Sequence, residues 1–229
     1  MAMEPSAGGA ASFAKALASL KRHGSNLLLV GPAYESAHLP ASRRLMGDAD
    51  SPRERLLVLT DREAGRDTRL PDGAEPVRTV EHPSLTRSAA ASRPGPSPSP
   101  LSPAGPDGDA RDHLVALGNE ITDEIDAAEE RADGLASSQL RVCFDSLAPV
   151  VDQHDRQRVV AFLYAVTSDV DRVNGMGHYH LPVPADAEVV ELLEPLFDAV
   201  IELRVAEDGP QQRWRLTDGR GSTDWLPLD

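Results

Sequence analysis

The residues best placed to contact phosphate follow the first apolar run of the chain. The segment Gly31-Pro-Ala-Tyr-Glu-Ser-Ala-His38 can be laid on the phosphate-loop spacing G-x-x-x-x-G-K-[ST], in which backbone N–H groups, a lysine and a hydroxyl hold phosphates and Mg²⁺. Gly31 matches the first glycine, whereas Ser36 replaces the second glycine, Ala37 the lysine and His38 the Ser/Thr. The segment therefore predicts a vestigial nucleotide site that includes Gly31, Ser36 and His38 and lacks a cation for the outer phosphates.

Two more residues of this segment oppose the binding of a polyanion. Pro32 has no backbone N–H to offer to a phosphate oxygen. Glu35 brings a negative charge close to the place where the phosphates would lie. We therefore expect no tight triphosphate binding and no cofactor, and ATP with Mg²⁺ only if the site works in an unorthodox way.

The second candidate segment is Gln139-Leu-Arg-Val-Cys-Phe-Asp-Ser-Leu147, a short apolar run that ends in Asp145. Such a run is typical of a buried central strand. Asp145 would then lie at the carboxyl edge of a parallel sheet, where nucleotide hydrolases place an acid that holds Mg²⁺. A strand-end aspartate is more often a helix cap or turn residue. Asp145 is thus either the fourth member of the vestigial site or a structural residue, and we expect Gly31 and Asp145 at neighbouring strand tips.

His178 and His180 alternate onto one face of a predicted strand, and with His38 or His154 they are candidate metal ligands. A histidine pair without a certain third ligand is more often held by hydrogen bonds at a sheet edge, so we predict no metal site. No G-x-S-x-G motif is present, which argues against a Ser–His–Asp hydrolase. We predict no catalytic residue.

Strand-like and helix-like segments alternate along the chain and must position these residues. Such a pattern predicts an α/β fold with a doubly wound, mostly parallel five-stranded sheet and a C-terminal antiparallel hairpin extension. The predicted strands are residues 26–31, 55–61, 77–80, 139–147, 178–181, 199–205, 212–216 and 224–228. The predicted helices are residues 11–23, 34–46, 112–133, 152–173 and 185–196.

The composition changes along the chain and predicts its domain organisation. Residues 1–10 are small and are expected to be flexible, and residues 11–229 are expected to form a single domain. A Pro/Ser-rich insert at about 88–111 has almost nothing to bury and is predicted to be disordered. The insert is either a ligand for a partner protein or a tolerated surface loop, and we favour the loop.

The charge balance excludes some classes of partner. The net charge is −14, and the basic residues are almost all arginine. An acidic, lysine-poor surface suits a salt-rich cytoplasm and argues against nonspecific nucleic-acid binding. No apolar run is long enough to span a membrane, and the first residues lack the features of a secretory signal. Cys143 is the only cysteine, so no intramolecular disulfide can form, and we expect a cytoplasmic protein.

Four segments, residues 24–31, 117–121, 140–147 and 177–181, together resemble the RecA superfamily in its KaiC-like branch, including uncharacterised haloarchaeal proteins that are labelled transducer-like. The resemblance implies a sheet in which the 178–181 strand lies between the first strand and the Asp145 strand. It implies ATP binding only where the phosphate loop is intact. It also implies that His180 is a remnant γ-phosphate sensor. Active relatives place a catalytic glutamate near Asp61 and Glu63, which we interpret here as surface acids.

These observations favour a non-catalytic, RecA/KaiC-like regulatory or interaction protein that binds a protein partner or forms a homo-oligomer. One alternative is an atypical nucleotide-binding ATPase that uses arginines such as Arg43 and Arg44. Another is a small-molecule sensor that uses the vacated cleft. The missing phosphate-loop lysine separates the first interpretation from the ATPase, because Ala37 supplies no charge.

Overall fold

One mixed β-sheet organises the computed structural model, which describes residues 13, 15, 17–20, 22–32, 35–60, 69–75, 77–82, 106–219 and 221–228. The strands are β1 (Ser25–Val30), β2 (Glu54–Leu59), β3 (Val77–Glu81), β4 (Leu140–Phe144), β5 (Met176–Leu181), β6 (Ala199–Ala206), β7 (Gly209–Leu216) and β8 (Leu226–Pro227). The helices are α1 (Glu35–Met46), α2 (Pro106–Arg131), α3 (Ala148–Gln153), α4 (Arg156–Arg172) and α5 (Glu188–Leu193). Described residues between 13 and 23 are also helical, and a 3₁₀ turn, Glu194–Leu196, follows α5.

The sheet has eight strands in the order β3-β2-β4-β5-β1-β6-β7-β8, not the five strands predicted. The strands from β3 to β6 in this order are parallel, and β7 and β8 add an antiparallel hairpin at the end. The α/β class, the mostly parallel sheet and the C-terminal hairpin are therefore confirmed. The sheet is larger than predicted because β3 pairs with β2 at one edge and the C-terminal hairpin continues the same sheet at the other edge.

Strand β5 lies between β1 and β4, as the resemblance implies. The expectation that Gly31 and Asp145 follow neighbouring strands is therefore wrong. With adjacent strands about 4.8 Å apart, the tips of β1 and β4 are separated by roughly 10 Å. The carboxyl end of β5 fills the space between them.

Several element boundaries differ from the prediction, and three of the differences change the description of the chain. The predicted helix 152–173 is two helices, because Asp155 is extended and its side chain accepts a hydrogen bond from the Arg158 N–H to start α4. Strand β5 begins at Met176, inside the predicted glycine turn. Helix α2 begins at Pro106, so residues 106–111 of the predicted insert are helical, and residues 88–105 lie outside the described residues.

Both faces of the sheet are buried, which explains the uninterrupted apolar runs of β1 and β4. On one face, Leu28 and Val30 belong to the larger core cluster, to which α2 and α4 contribute Ile121 and Leu163. On the other face, Leu27 packs with residues of α1 and β6. Each fully buried leucine contributes about 1.5–3 kcal/mol. In the part of the chain that the structure describes, no helix combines the length and apolarity that a membrane crossing requires.

Asn26 joins the amino end of β1 to α4 and β5. Its Nδ2 donates to the Thr167 carbonyl (3.1 Å) and to Asp171 Oδ1 (2.8 Å), and its Oδ1 accepts from the Tyr179 hydroxyl (3.0 Å). The Asn26 backbone N–H donates to Asp198 Oδ2 (2.8 Å). The two carboxylates therefore lie close together beneath the first strand.

This proximity perturbs Asp171. Burial and the negative charge of Asp198 raise the pKa of Asp171 to about 6, and the hydrogen bond from Asn26 only partly opposes that shift. The last turn of α4 also holds Asp171 near the negative end of the helix dipole. A carboxyl group whose pKa is raised on folding destabilises the folded state as the pH rises through that range.

We expect Asp171→Asn to raise the free energy of unfolding by about 1 kcal/mol at neutral pH, because it removes the repulsion from Asp198 and keeps an oxygen that can accept from Asn26. The gain should disappear below about pH 4, where Asp171 is protonated in both states. Chemical denaturation across this pH range measures it, with the exposed Asp152→Asn as control. A pH-independent difference between Asp171→Asn and the parent would contradict the assignment.

Candidate functional site

The carboxyl ends of β1, β2, β4 and β5 meet at one edge of the sheet, where parallel α/β sheets bind their ligands. Gly31 follows β1, Thr60 follows β2 and Asp145 follows β4. His180 is the second-last residue of β5, next to the carboxyl end of that strand. Gly31 and Asp145, two of the predicted site residues, therefore lie at this edge.

Gly31 is required by close packing. Its φ of 139° is one that favours glycine, and a Cβ at this position would lie 2.2 Å from the Leu203 carbonyl oxygen of β6. Its N–H donates to the Val183 carbonyl (2.8 Å) and is thus already used by the protein. The glycine that matched the phosphate loop therefore has a sufficient structural reason.

Ser36 and His38, the two other residues of the predicted loop site, lie in different environments on helix α1. Ser36 is exposed in the first turn, whereas Ala37 and His38 are buried. His38 Nδ1 lies 2.8 Å from His180 Nδ1, so one of the two rings donates a proton to the other. The side chains at the lysine and Ser/Thr positions of the loop thus face the protein interior.

A second buried contact extends this pair. Ser42 Oγ lies 3.0 Å from His178 Nε2 and 3.3 Å from Cys143 Sγ. Cys143 of β4 stands opposite His178 of β5 in the parallel register. Cys143, His178, His180 and His38, which we call the His–Cys cluster, are all buried on the face that α1 covers.

The cluster is electrically neutral at neutral pH. Burial, assisted by the positive charge of Arg69, lowers the pKa of His38 to about 4 and that of His178 to about 3, and it holds the pKa of His180 well below its ordinary value. Burial raises the pKa of the Cys143 thiol to about 11. Uncharged imidazoles have free lone pairs, whereas an imidazolium offers only N–H donors.

Asp145 is held by the neighbouring strand. Its Oδ1 accepts hydrogen bonds from the Thr60 N–H (2.8 Å) and from the Thr60 hydroxyl (2.9 Å), and Asp145 itself is buried. The Asp145 N–H donates to the Val58 carbonyl (2.9 Å). These contacts tie the ends of β2 and β4 together.

The remaining candidates lie elsewhere. Arg43 and Arg44 are in the last turn of α1, about 12 Å along the helix from its start beside the loop. His154 is at the end of α3, where His113 is among its electrostatic neighbours, and it does not belong to the His–Cys cluster. Asp61 and Glu63 lie outside the described residues.

Sequence reasoning missed Cys143 and Ser42. The alternation of side chains along β4 places Cys143 on the same face as Asp145, which was a usable signal. The register that brings Cys143 opposite His178 was not readable from the chain. Ser42 is one helical turn after His38, so their common helix face was also a signal.

An open cleft of about 900 Å³ lies on the other side of Gly31, bounded by β6, β7 and residues 222–225. The guanidinium carbons of Arg204 and Arg213 lie 3.8 Å and 4.8 Å from the ring centroid of Trp225. Arg213 also pairs with Glu202. The cleft thus offers an aromatic surface and cationic groups beside the tip of β1.

A model of DUF7504, a family of unknown function, matches residues 24–203. The chain belongs to this family. No curated protein matches the chain. The matched region runs from the glycine before β1 into β6 and contains Asp145 and the whole His–Cys cluster. Trp225 and the C-terminal hairpin strand β7 lie beyond it.

We expect Gly31→Ala to lower the free energy of unfolding by about 3 kcal/mol, because its Cβ would overlap the Leu203 carbonyl. Gly209→Ala is the matched control. Gly209 has a φ of 110° but nothing within 4 Å of its Cβ position, so its cost should be about 1 kcal/mol of backbone strain. Urea denaturation of both variants measures the difference, and equal losses would show that the close approach to β6 is not limiting.

Proposed function

We propose that this protein is a non-catalytic regulatory or interaction protein of the RecA/KaiC-like type that does not hydrolyse ATP. The observation that carries the proposal is the burial of Ala37 and His38, with His38 bonded to His180. Where a nucleotide hydrolase presents a lysine and a magnesium-binding hydroxyl, this chain presents a closed, uncharged contact.

The strand order supports the RecA-like, doubly wound part of the proposal. β5 and β6 flank β1, and β4 follows beyond β5. The resemblance implies this position for β5, and helices cover both faces of the sheet. A framework of this kind would keep its shape without nucleotide, because its strands are joined by backbone hydrogen bonds and buried apolar side chains.

The electrostatics at the sheet edge support the loss of hydrolysis. Transfer of a phosphoryl group depends on cations that neutralise the developing charge. The N–H of Gly31 is bonded to Val183, and Asp145 Oδ1 is bonded twice to Thr60. Arg43 and Arg44, the cations that an atypical ATPase would use, lie at the far end of α1.

An apolar groove between α2 and α4 supports the interaction part of the proposal. Leu114, Val115, Gly118, Phe162 and Ala165 are among the residues that line it. The Val115 side chain is 63% exposed although it is large and apolar. Exposed apolar patches on an otherwise acidic protein often mark contact surfaces, and we assign this groove to self-association of the chain.

The cleft beside Gly31 favours a second candidate function, the binding of a small molecule. Arg204 and Arg213 stack on Trp225, and a planar anion could use the same cations and aromatic surface. Glu202 and Asp224 also line the cleft and would repel a strongly negative ligand. The cleft would therefore favour a zwitterion, or an anion whose other groups are polar and uncharged. Such a ligand would bind next to the vacated phosphate position and not in it.

We expect calorimetric titration with Mg-ATP at high salt to show a Kd weaker than about 1 mM, because the loop offers no cation to the outer phosphates. Thermal denaturation with and without Mg-ATP should give the same midpoint. Saturable binding at sub-millimolar nucleotide would contradict the proposal. If such binding disappeared in Trp225→Ala, it would belong to the cleft and to the second candidate function.

We expect sedimentation velocity to show concentration-dependent self-association of the chain, and we expect Val115→Glu to shift it to the monomer by burying a charge at the contact. Val205→Glu is the matched control, since Val205 is also an exposed valine (46%) but lies on β6, away from the groove. Equal effects of the two substitutions, or a parent chain that is monomeric at all concentrations, would contradict the assignment of the groove.

A further inference from the structure

We propose that the His–Cys cluster binds one Zn²⁺ ion through Cys143, His178 and His180, with His38 as the outer hydrogen-bond partner of His180. This inference goes beyond the proposed function, because a metal held there would act on the fold itself. One thiolate and two imidazoles are donors that zinc binds in proteins. The ion would join β4 and β5, and His38 would link it to α1, behind the loop where a phosphate site was expected.

The backbone already brings the ligands to one point. His178 and His180 point to the same face of β5, and the register places Cys143 opposite His178. Ligand atoms of these three residues lie within 4.8 Å of one another. His38 approaches from α1, with its Nδ1 2.8 Å from His180 Nδ1.

The spacing is close to that of a tetrahedral site. Zn–N distances of about 2.0–2.1 Å and a Zn–S distance of about 2.3 Å place neighbouring ligand atoms roughly 3.4 Å apart. The ligand atoms of Cys143, His178 and His180, which lie within 4.8 Å of one another, would have to approach by up to about 1.4 Å. Rotations of side chains accommodate such shifts without moving a strand.

Each of the two proposed histidine ligands has one buried ring nitrogen without another use among the described residues. His178 Nδ1 and His180 Nε2 lack a hydrogen-bond partner and are shielded from solvent. A buried polar atom without a partner costs about 1–3 kcal/mol, which metal coordination would remove. With these two atoms on the metal, His178 Nε2–H would donate to Ser42 Oγ, 3.0 Å away, and His180 Nδ1–H to His38 Nδ1, 2.8 Å away, as the outer partners that orient ligating histidines.

The protonation states agree with coordination. Zinc binds neutral imidazole, and burial keeps the three histidines neutral. Cys143 would release its proton to become the thiolate ligand, so binding would liberate one proton per ion. Zinc bound to one thiolate would keep a positive charge. The Asp145 carboxylate would partly balance that charge, whereas the positive charge of Arg69 would repel it; both groups act electrostatically on Cys143.

Other histidines of the chain provide a comparison. The His82 and His113 rings are 6.0 Å apart, and neither they nor His154 belong to a group that could hold an ion in the described part of the chain. His113 is partly exposed, so its replacement should not disturb the core. His113→Gln is therefore the matched control for substitutions in the cluster.

The experiment uses the full chain, unfolded with a chelator and refolded with Co²⁺ as a spectroscopic probe or with Zn²⁺. We expect one Co²⁺ per chain, a sulfur-to-cobalt charge-transfer absorption, and a higher midpoint of thermal unfolding with either metal. Cys143→Ser should lose the charge-transfer absorption and bind roughly 100-fold more weakly. His113→Gln should match the parent in stoichiometry, absorption and affinity.

A second measurement needs no variant, so it decides the case even if Cys143→Ser fails to fold. Zinc-edge X-ray absorption of the refolded parent chain should report one sulfur ligand and two histidine nitrogen ligands. The proposal is overturned if the refolded parent takes up no stoichiometric metal while its circular dichroism is native. It is equally overturned if the bound zinc has only oxygen and nitrogen ligands, or if Cys143→Ser keeps the charge-transfer absorption.

Discussion

The contact between His38 and His180 is the constraint on which the carboxyl edge of the sheet depends. β5 is buried along its whole length, so each polar group on its α1-facing side must find its partner within the protein. α1 supplies His38 to one ring and Ser42 to the other. Helix α1 can approach the sheet this closely because Ala37 and Ala41, which it also buries, have small side chains.

The same constraint explains the chemistry of the edge. An interior that keeps imidazoles neutral and a thiol protonated is dry and of low polarity, and it stabilises uncharged groups or a coordinated cation more readily than a free polyanion. Polar groups at this edge are also used within the fold. Gly31 donates to Val183, and Asp145 accepts from Thr60. These bonds join the ends of the strands to the residues beside them.

Much of the fold was predictable because its signals are local. The apolar runs that became β1 and β4 could be recognised from a few consecutive residues, and so could the glycine and proline residues that bound them. Errors arose where the pairing of separate segments decides. β3 belongs to the sheet only because β2 pairs with it, and the C-terminal hairpin continues the same sheet, which gives eight strands instead of five. The break at Asp155 was missed because the apolar periodicity continues on both sides of it.

The sequence by itself determined the α/β class, the parallel strands and the presence of Gly31, His38 and Asp145 at the carboxyl edge, since these follow from short-range patterns of burial and turn residues. The tertiary structure alone decided which side chains meet. His38 and His180 are 142 residues apart in the chain, and Cys143 faces His178 only because β4 and β5 pair in one register. Contacts of that kind depend on strand order and register, which no stretch of sequence encodes on its own.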